Sequence, residues 1–593
     1  MGDYMRQRRV ISALAIPLVF AFVAASCGSD DSSSDDVTGD TAAEGTTATE
    51  ETDDGGETDA TAAPEAEGDV DTSVVENTDE VVMGGSVTMG LEAEATGLRP
   101  WEDSCATGCY NIMRTIYDQL MEEQASGGYG PYLAESLEPN ADFTVWTMKL
   151  RPDITFHNGT PLTAQTIVDM FPIQQAGAAG SAAISSAKVT SVTLVDDLTV
   201  DYTLEAPFSA FASFLAGAPL GMPFDPAAAT ADSAGYSTNP IGTGPFTIQS
   251  RDIDNETVVV RNPGYWRTDD AGNQLPYLDS ISFRPIPDEG TRLDALISGT
   301  VTAMQSLRQG TIRDARAESG IELIEFQGNS TGGGMYNTAV PPYDDVRVRQ
   351  GLTKMNNQEA VIEALGGTGI SLPTTQMFSS DNPYWSQAAA DAYLTFDFEG
   401  GKALLQEYID DPARSDGKAP GEKIDVELSC PPDPTLIAAM QVIEQVWTGS
   451  EQVNVSLTQF DQATHINNAV SDTHKAHCWR WGGNGDPASV IDPFVADPAA
   501  SVANFPNFVD PEMQGWAAEA SATDDFETRK ELYSKIMVRI NEQTIIWYSG
   551  GTAVMVAHEP NVRGINSWTL PSGELGTGIP DAAVRWHEVF ISE

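Results

Sequence analysis

The sequence predicts an α/β fold, and three patterns in its 593 residues support this prediction. Strand-like and helical segments alternate in the second half of the chain, as in Asp425–Ser429, Thr435–Trp447 and Val453–Leu457. Trp146–Leu150 alternates apolar and polar side chains, which is the period of a half-buried strand. Asp525–Thr544 has the spacing of a long amphipathic helix. A chain of this length is expected to bury several cores.

A smaller α+β unit is predicted within Pro131–Phe171. Its strand is followed by Asn158-Gly159, residues that supply the positive φ values of a tight turn. Thr163 then stands where its side chain can cap the next helix. Upstream of this unit, Tyr110–Met121 has the apolar spacing of another helix.

Residues 1–27 have the parts of an export signal. Three arginines between positions 6 and 9 precede an apolar run, 11–25, which is too short to span a membrane comfortably. The run ends in Ala24-Ala25-Ser26-Cys27, which resembles a bacterial lipobox. That resemblance implies lipidation of Cys27, and the alternative is an ordinary cleaved signal with a chance cysteine. Several acyl chains would anchor the protein stably.

Residues 28–83 predict a disordered acidic tether. The segment carries nineteen Asp and Glu residues and no Lys or Arg. Such a composition cannot bury enough apolar surface to offset chain entropy, and like charges extend it. A random coil of this length reaches roughly 40 Å, so the tether would let a folded domain move away from a membrane surface.

The charge of the chain excludes one class of partner. A formal net charge of −56 leaves no general basic surface for nucleic-acid phosphates. The sequence also lacks the G-x-x-x-x-G-K-[ST] motif of an ATPase. Gly328–Gly332 formally matches a G-x-S-x-G nucleophile elbow, but the residues after Ser330 predict extended chain instead of the required helix. No catalytic residue is therefore predicted.

Five motifs in order resemble the family 5 extracytoplasmic solute-binding proteins, the peptide- and nickel-type receptors of ABC importers. They are PYLAESLEPNADFTVWTMKLRPDITFHNGTPLTAQTIVDMF from residue 131, NPIGTGPF from 239, RNPGYW from 261, YLDSISF from 277 and DDVRVRQGL from 344. The chain departs from the family pattern at Asn158 and Thr166, where Asp is usual, and at Gly351, where Ala is usual. These are turn, cap and helix positions, so the departures affect local stability.

The resemblance implies a two-lobed periplasmic-binding-protein-like fold with hinge crossings and a third, accessory domain of α+β type. After the signal peptide, 1–27, and the tether, 28–83, the resemblance implies three domains. Lobe I comprises 84–129, 240–327 and 545–593, the accessory domain comprises 130–239, and lobe II comprises 328–544.

The same resemblance implies a receptor that captures a small ligand in an inter-lobe cleft and delivers it to ABC permease subunits with a separate ATPase. A peptide is the expected ligand, and an oligosaccharide or a metal chelate is the alternative. The receptor would be an extracytoplasmic, lipid-anchored monomer without a cofactor. A secreted hydrolase and an adhesion lipoprotein are the other classes considered.

The segment Ala476–Pro487 is the richest in candidate ligand-binding residues. On a strand, Trp479 and Trp481 share one face with His477, while Arg480, a possible carboxylate clamp, points the other way. In peptide-binding members of the family, an Asp in the following loop takes the ligand's α-ammonium. Asn484 stands at that position and Asp486 could substitute for it. Five more ligand-binding residues are expected from the resemblance: Glu94, Trp101, Thr331, Gly332 and Trp385.

His474, His477 and Cys478 are of the residue types that bind metals, but zinc needs three or four convergent groups and this spacing splays them. No metal is predicted.

Four cysteines remain after Cys27. An oxidising exterior favours Cys105–Cys109 and Cys430–Cys478 among three possible pairings, and four unpaired thiols are the alternative.

Overall fold

The computed structural model describes residues 80–592, with gaps at 104, 381, 433, 483–485, 500, 502 and 580. The export signal with Cys27, the tether up to residue 79, and Asn484 lie outside the described residues. Val81 and Val82, at the end of the predicted tether, pack against an apolar cluster that includes Tyr277 and Phe590.

The strands of the described residues follow the predicted α/β pattern. In chain order they are β1 (Ser86–Leu91), β2 (Met121–Glu123), β3 (Tyr129–Pro131), β4 (Ala134–Pro139), β5 (Val145–Leu150), β6 (Val189–Leu194), β7 (Thr199–Leu204), β8 (Phe246–Asp252), β9 (Glu256–Arg261), β10 (Ser280–Pro285), β11 (Ala303–Ser306), β12 (Glu322–Tyr336), β13 (Ile424–Cys430), β14 (Val453–Gln459), β15 (Ala476–Gly482), β16 (Ile546–His558), β17 (Val562–Arg563) and β18 (Phe590–Ile591).

The helices alternate with these strands, and α17 is the long amphipathic helix expected near residue 530. They are α1 (Thr107–Ile116), α2 (Ala164–Ala176), α3 (Ala178–Ser186), α4 (Phe211–Leu215), α5 (Pro226–Ala231), α6 (Ser233–Tyr236), α7 (Glu289–Ile297), α8 (Gln309–Arg316), α9 (Val346–Lys354), α10 (Gln358–Ala364), α11 (Gln387–Ala392), α12 (Phe398–Asp410), α13 (Pro434–Gly449), α14 (Gln462–Val470), α15 (Pro487–Val495), α16 (Pro511–Ser521) and α17 (Phe526–Gln543). Within the described part of the chain, no helix has the length and apolar character needed to cross a membrane.

One ten-stranded mixed sheet organises the molecule, in the order β14-β13-β15-β12-β16-β11-β1-β10-β9-β8. β12 and β16 lie at its centre and pair antiparallel over most of their length. β15 joins β12 only from Ser330 onward, whereas β11 joins β16 at its far end. The two long strands therefore carry the chain between the halves of the sheet, near residues 328 and 545, where hinge crossings are predicted. β12 also runs through Gly328–Gly332, so Ser330 lies in a strand with no helix directly after it.

A separate antiparallel sheet, in the order β4-β5-β7-β6, lies within the predicted accessory domain. Trp146, Met148 and Leu150 are buried, as the alternation on β5 predicts. Helix α2 begins with a capping box, in which Thr163 and Thr166 each accept the other's backbone N–H through their hydroxyl oxygens. Thr166 therefore closes the box in place of the Asp that the family pattern has there.

The prediction of one helix over Tyr110–Met121 is wrong at its end. Helix α1 stops at Ile116, and Met121 begins β2. The carbonyl of Ile116 accepts the N–H of Gly244 at 2.8 Å, and Tyr117 is extended. A tertiary hydrogen bond thus competes with the next turn of the helix, which periodicity alone does not reveal.

Candidate ligand site

A cavity of 510 Å³ opens where strands from both halves of the large sheet end. β11 ends just before Leu307–Gln309, β13 ends before Pro431, and β15 contributes Cys478–Arg480. On the neighbouring side, β1 ends at Leu91 and Glu92 follows it. Open α/β sheets bind ligands at the carboxyl ends of their strands, because the chain leaves the sheet there and side chains converge. The position and the volume are those of a small-molecule site.

Most of the cavity wall is apolar. Helix α10 with the residue that follows it, helix α13 and strand β16 supply the following side chains: Val361, Leu365, Leu436, Ala439, Met440, Ile443 and Trp547. Trp479 adds a half-buried indole, whose ring centroid lies 5.0 Å from that of Phe505. Such a wall excludes water from a bound solute and provides contact area, while a few polar groups set its orientation.

Two arginines provide the charge of the wall. Arg308 follows β11 and Arg480 lies on β15, and Glu92 is close enough to interact electrostatically with both. Displacement of bulk water lowers the pKa of Arg480, the charge of Arg308 lowers it further, and Glu92 raises it. Burial raises the pKa of the Glu92 carboxyl, although Arg292 opposes that shift. Because arginine stays protonated in proteins and the described lining residues include no Asp or Glu, the wall is positive.

Glycines in β12 let the sheet approach this space closely. Gly332 and Gly333 line the cavity. A Cβ on Gly332 would meet its nearest atom at 3.7 Å, so that position has room. A Cβ on Gly334 would overlap the indole of Trp547 and the carbonyl of His477. Glycine at position 334 is therefore required for Trp547 to pack against the strand and form part of the cavity wall.

The two candidate tryptophans of β15 have different surroundings. His477, Trp479 and Trp481 do share a face, with ring centroids 6.3 Å apart at each step. Trp479 lines the cavity, whereas Trp481 is 4% exposed and packs edge-on against Phe494 at 4.9 Å. Arg480, expected on the opposite face, also reaches the cavity. The structure therefore makes Trp481 a core residue.

Asp486 is committed to structural contacts. Its carboxylate accepts the N–H of Ala488 at 2.9 Å and so caps α15. It also forms an ion pair with Arg529 at 2.7 Å, and its side chain is only 10% exposed. A carboxylate held in this way has little capacity left for the α-ammonium of a ligand, and Asn484 lies outside the described residues.

Two other predicted ligand residues lie away from the cavity. Glu94 forms an ion pair with Arg251 at 3.1 Å and also accepts the N–H of Ala95 at 3.0 Å. Trp101 is 4% exposed and packs against Phe224, with ring centroids 4.2 Å apart. Both side chains have structural partners within their own part of the fold.

Thr331 and Gly332, near the predicted hinge crossing, and Trp385 have three different surroundings. Gly332 lines the cavity, and the neighbouring Thr331 is buried and donates its hydroxyl to the carbonyl of Gly550 at 3.0 Å. Trp385 lines a separate cavity of 590 Å³ beside α17. The structure thus brings together Gly332 and Trp479 from the predicted set.

Three histidines form a cluster at the cavity wall, and one of them, His465, lines the cavity. The rings of His465 and His477 stack 3.5 Å apart, and His474 lies 5.2 Å from His477. His477 donates from Nε2 to the carbonyl of His465 at 2.9 Å, and Nδ1 lies 2.6 Å from the Ser429 hydroxyl. Burial lowers the pKa of His477 to about 3. These contacts occupy both ring nitrogens, and the described residues hold no group of three His, Cys, Asp or Glu arranged for a metal ion.

The four cysteines of the folded region form two disulfides. Cys105 and Cys109 are joined with their Cα atoms 5.3 Å apart, beside the first turn of α1. Cys430, the last residue of β13, is joined to Cys478 of β15 with a Cα separation of 5.0 Å. The second bridge ties together two parallel strands at the edge of the cavity, and Cys478 lines it.

Sequence reasoning missed three residues of the site: Glu92, Arg308 and Trp547. Each follows or lies on a buried strand, and a polar residue directly after such a strand is a usable signal. Arg308 comes two residues after Ala303–Ser306, all of which is buried. That signal is weak alone, because the pairing of strands distant in sequence decides which strand ends meet.

Comparison with known proteins identifies relatives of the chain. The profile described as "Bacterial extracellular solute-binding proteins, family 5 Middle" matches residues 128–501. A dipeptide-binding protein of Escherichia coli strain K12 is 26% identical over 476 residues, covering 75% of this chain and 83% of that protein. The nickel-binding periplasmic protein of the same strain is 26% identical over 492 residues, covering 79% and 89%.

Solved structures share the fold. The periplasmic binding protein DppA from Helicobacter pylori, in complex with the peptide STSA, matches with a TM-score of 0.70 at 18% identity, covering 86% of this chain and 99% of that one. NikA from Brucella suis, in complex with Fe(III)-EDTA, matches with a TM-score of 0.69 at 20% identity, covering 84% and 99%. The mixed α/β architecture is thus that of two-lobed periplasmic binding proteins.

Proposed function

Because the chain belongs to the bacterial extracellular solute-binding proteins of family 5, a family of ABC importer receptors, we propose that it captures a small solute that carries a carboxylate. The solute would bind in the 510 Å³ cavity and be presented to membrane permease subunits that a separate ATPase drives. A short peptide with a free carboxyl end is the leading ligand. The protein acts in this proposal as a binding receptor without catalytic residues.

One observation carries the choice of ligand: the positive wall of the cavity in a chain of net charge −56. The side chain of Arg480 has no hydrogen bond or ion pair with any other described residue, and it is exposed and lines the cavity. A guanidinium binds a carboxylate through two parallel N–H···O bonds. The apolar wall and Trp479 would cover the rest of the solute.

The amino end of a peptide has no established partner here, because Asp486 is paired with Arg529. The cavity therefore favours recognition through the carboxyl end. A metal chelate with carboxylate arms would use the same arginines, so it is the second ligand class supported by this geometry. An oligosaccharide without acidic groups would leave Arg480 unpaired, which the positive wall disfavours.

The test is calorimetric titration of the purified chain with tripeptides and with the same peptides amidated at the carboxyl end. We expect amidation and the substitution Arg480→Gln each to weaken binding by about 10- to 150-fold, which corresponds to about 1.5–3 kcal/mol for a charged hydrogen bond. Arg313→Gln is the matched control, because Arg313 is exposed on α8 and pairs with Asp314 at 2.8 Å.

Equal affinity for the acid and the amide would contradict the carboxylate proposal. Binding of a carboxylate chelate such as Fe(III)-EDTA with loss in Arg480→Gln, and no binding of any tripeptide, would keep the carboxylate class and change the ligand. Native mass spectrometry of protein purified without refolding would show which solute it carries from the cell.

We also propose export and lipid attachment at Cys27, from the lipobox-like sequence alone. Globomycin treatment or the substitution Cys27→Ser should release the protein from the membrane fraction or leave it with an uncleaved signal. Cys27→Ser protein that has lost its signal and still stays in the membrane fraction would contradict the lipid anchor. That result would have no bearing on the proposed ligand site.

A further inference from the structure

A second cavity, of 170 Å³, lies among strands β2 and β3, helix α1 and the C-terminal segment near residue 580. It shares no lining residue with the 510 Å³ cavity among the described residues. Its lining mixes polar and apolar surface and contains five charged groups: Arg114, Glu122, Glu123, Asp581 and Arg585.

Four of these charges form two ion pairs, of which Arg585–Glu122 is buried and Arg114–Asp581 is partly exposed. Arg585 holds Glu122 through two contacts, from Nη2 at 2.7 Å and from Nε at 3.1 Å. Arg114 holds Asp581 at 2.9 Å and donates to the carbonyl of Ala583 at 2.7 Å. Each pair is electrically balanced, so neither requires a further ligand.

Glu123 is the fifth charge, and it has no counter-ion. Its carboxylate forms no hydrogen bond or ion pair with any other described residue, although it is partly buried. Burial raises the pKa of Glu123 to about 7, and the neighbouring charge of Asp581 raises it further than Arg585 lowers it. The cavity therefore carries one surplus negative charge whenever this carboxyl is ionised.

One residue of the cavity lining has an unpartnered side-chain oxygen. Gln119 is 2% exposed, lines the cavity, and its Oε1 has no hydrogen-bond partner among the described residues. A buried acceptor without a donor lowers the stability of the folded state, and a ligand or a water molecule can supply the missing donor. The Glu123 carboxylate and the Gln119 Oε1 are thus two unpaired acceptors, one of them charged.

We propose that this second cavity binds a primary ammonium group. An ammonium carries a single positive charge and three donors, and the cavity offers one surplus negative charge and unpaired acceptors. The rings of Tyr110 and Tyr129 form part of the wall, and aromatic faces attract such cations. The source is either a free small amine or the amino group of a larger solute.

A divalent metal ion fits the site less well. Calcium takes six to eight oxygen ligands, mostly carboxylates and carbonyls, and magnesium demands near-octahedral geometry. Here Glu122 and Asp581 are already held by arginines. No group of three or more acidic, histidine or cysteine residues is arranged for a metal among the residues described.

The test measures the thermal stability of the whole purified chain in methylammonium chloride and in sodium chloride at equal ionic strength. Methylammonium should raise the Tm above its value in sodium chloride, because a ligand that binds only the folded state stabilises it. Glu123→Gln, which keeps the side-chain shape, should abolish the difference. Glu138→Gln removes an exposed carboxylate and should keep it.

The apparent affinity for methylammonium should also depend on pH. With a pKa of about 7 for Glu123, binding at pH 6 should be about tenfold weaker than at pH 8, because the carboxyl must ionise to bind the cation. The charged groups facing Glu123 are Asp581, Arg585, Glu122 and Arg114.

Equal stabilisation by methylammonium and sodium, or a methylammonium effect that survives in Glu123→Gln, would overturn the proposal. A Tm rise that is also lost in Gln119→Leu would add the amide oxygen to the site. Saturation with a tripeptide bearing a free amino end, but not with its acetylated form, should cancel the methylammonium effect if the amine is part of the transported solute. This result is independent of Arg480, so the two proposals can fail separately.

Discussion

The two cavities have opposite charge and are built in different ways. The 510 Å³ cavity is formed by strand ends and apolar helix faces, and its charge comes from Arg308 and Arg480. The 170 Å³ cavity is formed by charged side chains that hold one another, with Glu123 left over. In the first, Arg480, which we propose as the ligand-binding arginine, forms no side-chain hydrogen bond or ion pair with a described residue. In the second, the paired charges are part of the fold.

Whether a charged side chain is paired within the fold thus distinguishes charged residues that could bind a ligand from charged residues that stabilise the structure. A charge that the fold does not pair can be removed at little cost in stability, and its loss should appear in affinity. A buried charge whose partner remains leaves an uncompensated ion, and its loss should appear in stability.

The largest effect on stability is expected from replacing Arg585 by glutamine, compared with the same replacement of Arg480. Arg585→Gln should lower the free energy of unfolding by about 3–5 kcal/mol, because Glu122 remains buried without its partner. Arg480→Gln should change it by no more than about 0.5 kcal/mol. Urea denaturation of both variants without ligand measures the two values. Similar losses in both would end the distinction between the cavities.

The two disulfides should contribute different amounts to the free energy of unfolding, and the bridge at the 510 Å³ cavity should contribute more. Cys430 and Cys478 close a loop with a sequence separation of 48, whereas Cys105 and Cys109 are separated by 4. From loop entropy, replacing the long-range pair by alanines should cost about 4 kcal/mol and replacing the short-range pair about 2 kcal/mol. Denaturation of the two double variants under non-reducing conditions gives both numbers. Equal costs would show that native-state contacts, and not chain entropy, dominate.

The tryptophans of β15 test the edge of the ligand cavity. Trp481→Phe should lose about 1–3 kcal/mol of stability because its ring is buried against Phe494. Trp479→Phe should lose less than about 1 kcal/mol and should weaken ligand binding. Stability is measured by denaturation and affinity by calorimetry on the same two variants. The prediction from sequence was that Trp481 binds ligand, and weaker binding in Trp481→Phe with unchanged stability would restore it.

The last prediction concerns how the free energy of unfolding depends on pH through His477, with a small change for each pH unit. The pKa of His477 is about 3 in the folded protein and near 6.5 when unfolded, so the unfolded chain binds more protons below pH 6.5. Stability should therefore fall as pH decreases from about 6.5 towards 3, by up to about 1.4 kcal/mol per pH unit for this group. His477→Gln should reduce that slope by about one proton, as measured by denaturation at pH 4 to 7. An unchanged slope would assign the acid sensitivity to other groups.

Local patterns predicted much of the fold correctly. The alternation on β5, the cap at Thr163 and the alternate faces of β15 all follow from bonding within a few residues. The end of α1 was mispredicted because Gly244, far along the chain, supplies the hydrogen bond at Ile116. Errors of this kind arise wherever a distant residue competes with the local pattern.

The candidate site was only partly predictable for the same reason. Family motifs pointed to the hinge and to β15, and Gly332 and Trp479 do line the cavity. Nothing local distinguishes Glu94, which pairs with Arg251, from Glu92, which lies near Arg308 and Arg480. Asp486 looks like a free acid in the sequence until Arg529 is placed beside it.

The amino-acid sequence by itself determined the family, the α/β class, the acidic character and the positions of most strands and helices, because these depend on composition, periodicity and short motifs. Tertiary structure alone decided which strand ends meet, which charges are already paired and which remain available to a ligand. The side chains of Arg480 and Glu123 form no ion pair with a described residue, although the opposite charges of Glu92 and Arg585 lie close enough to act on them. Only the folded chain decides this, because it sets how near those distant charges come.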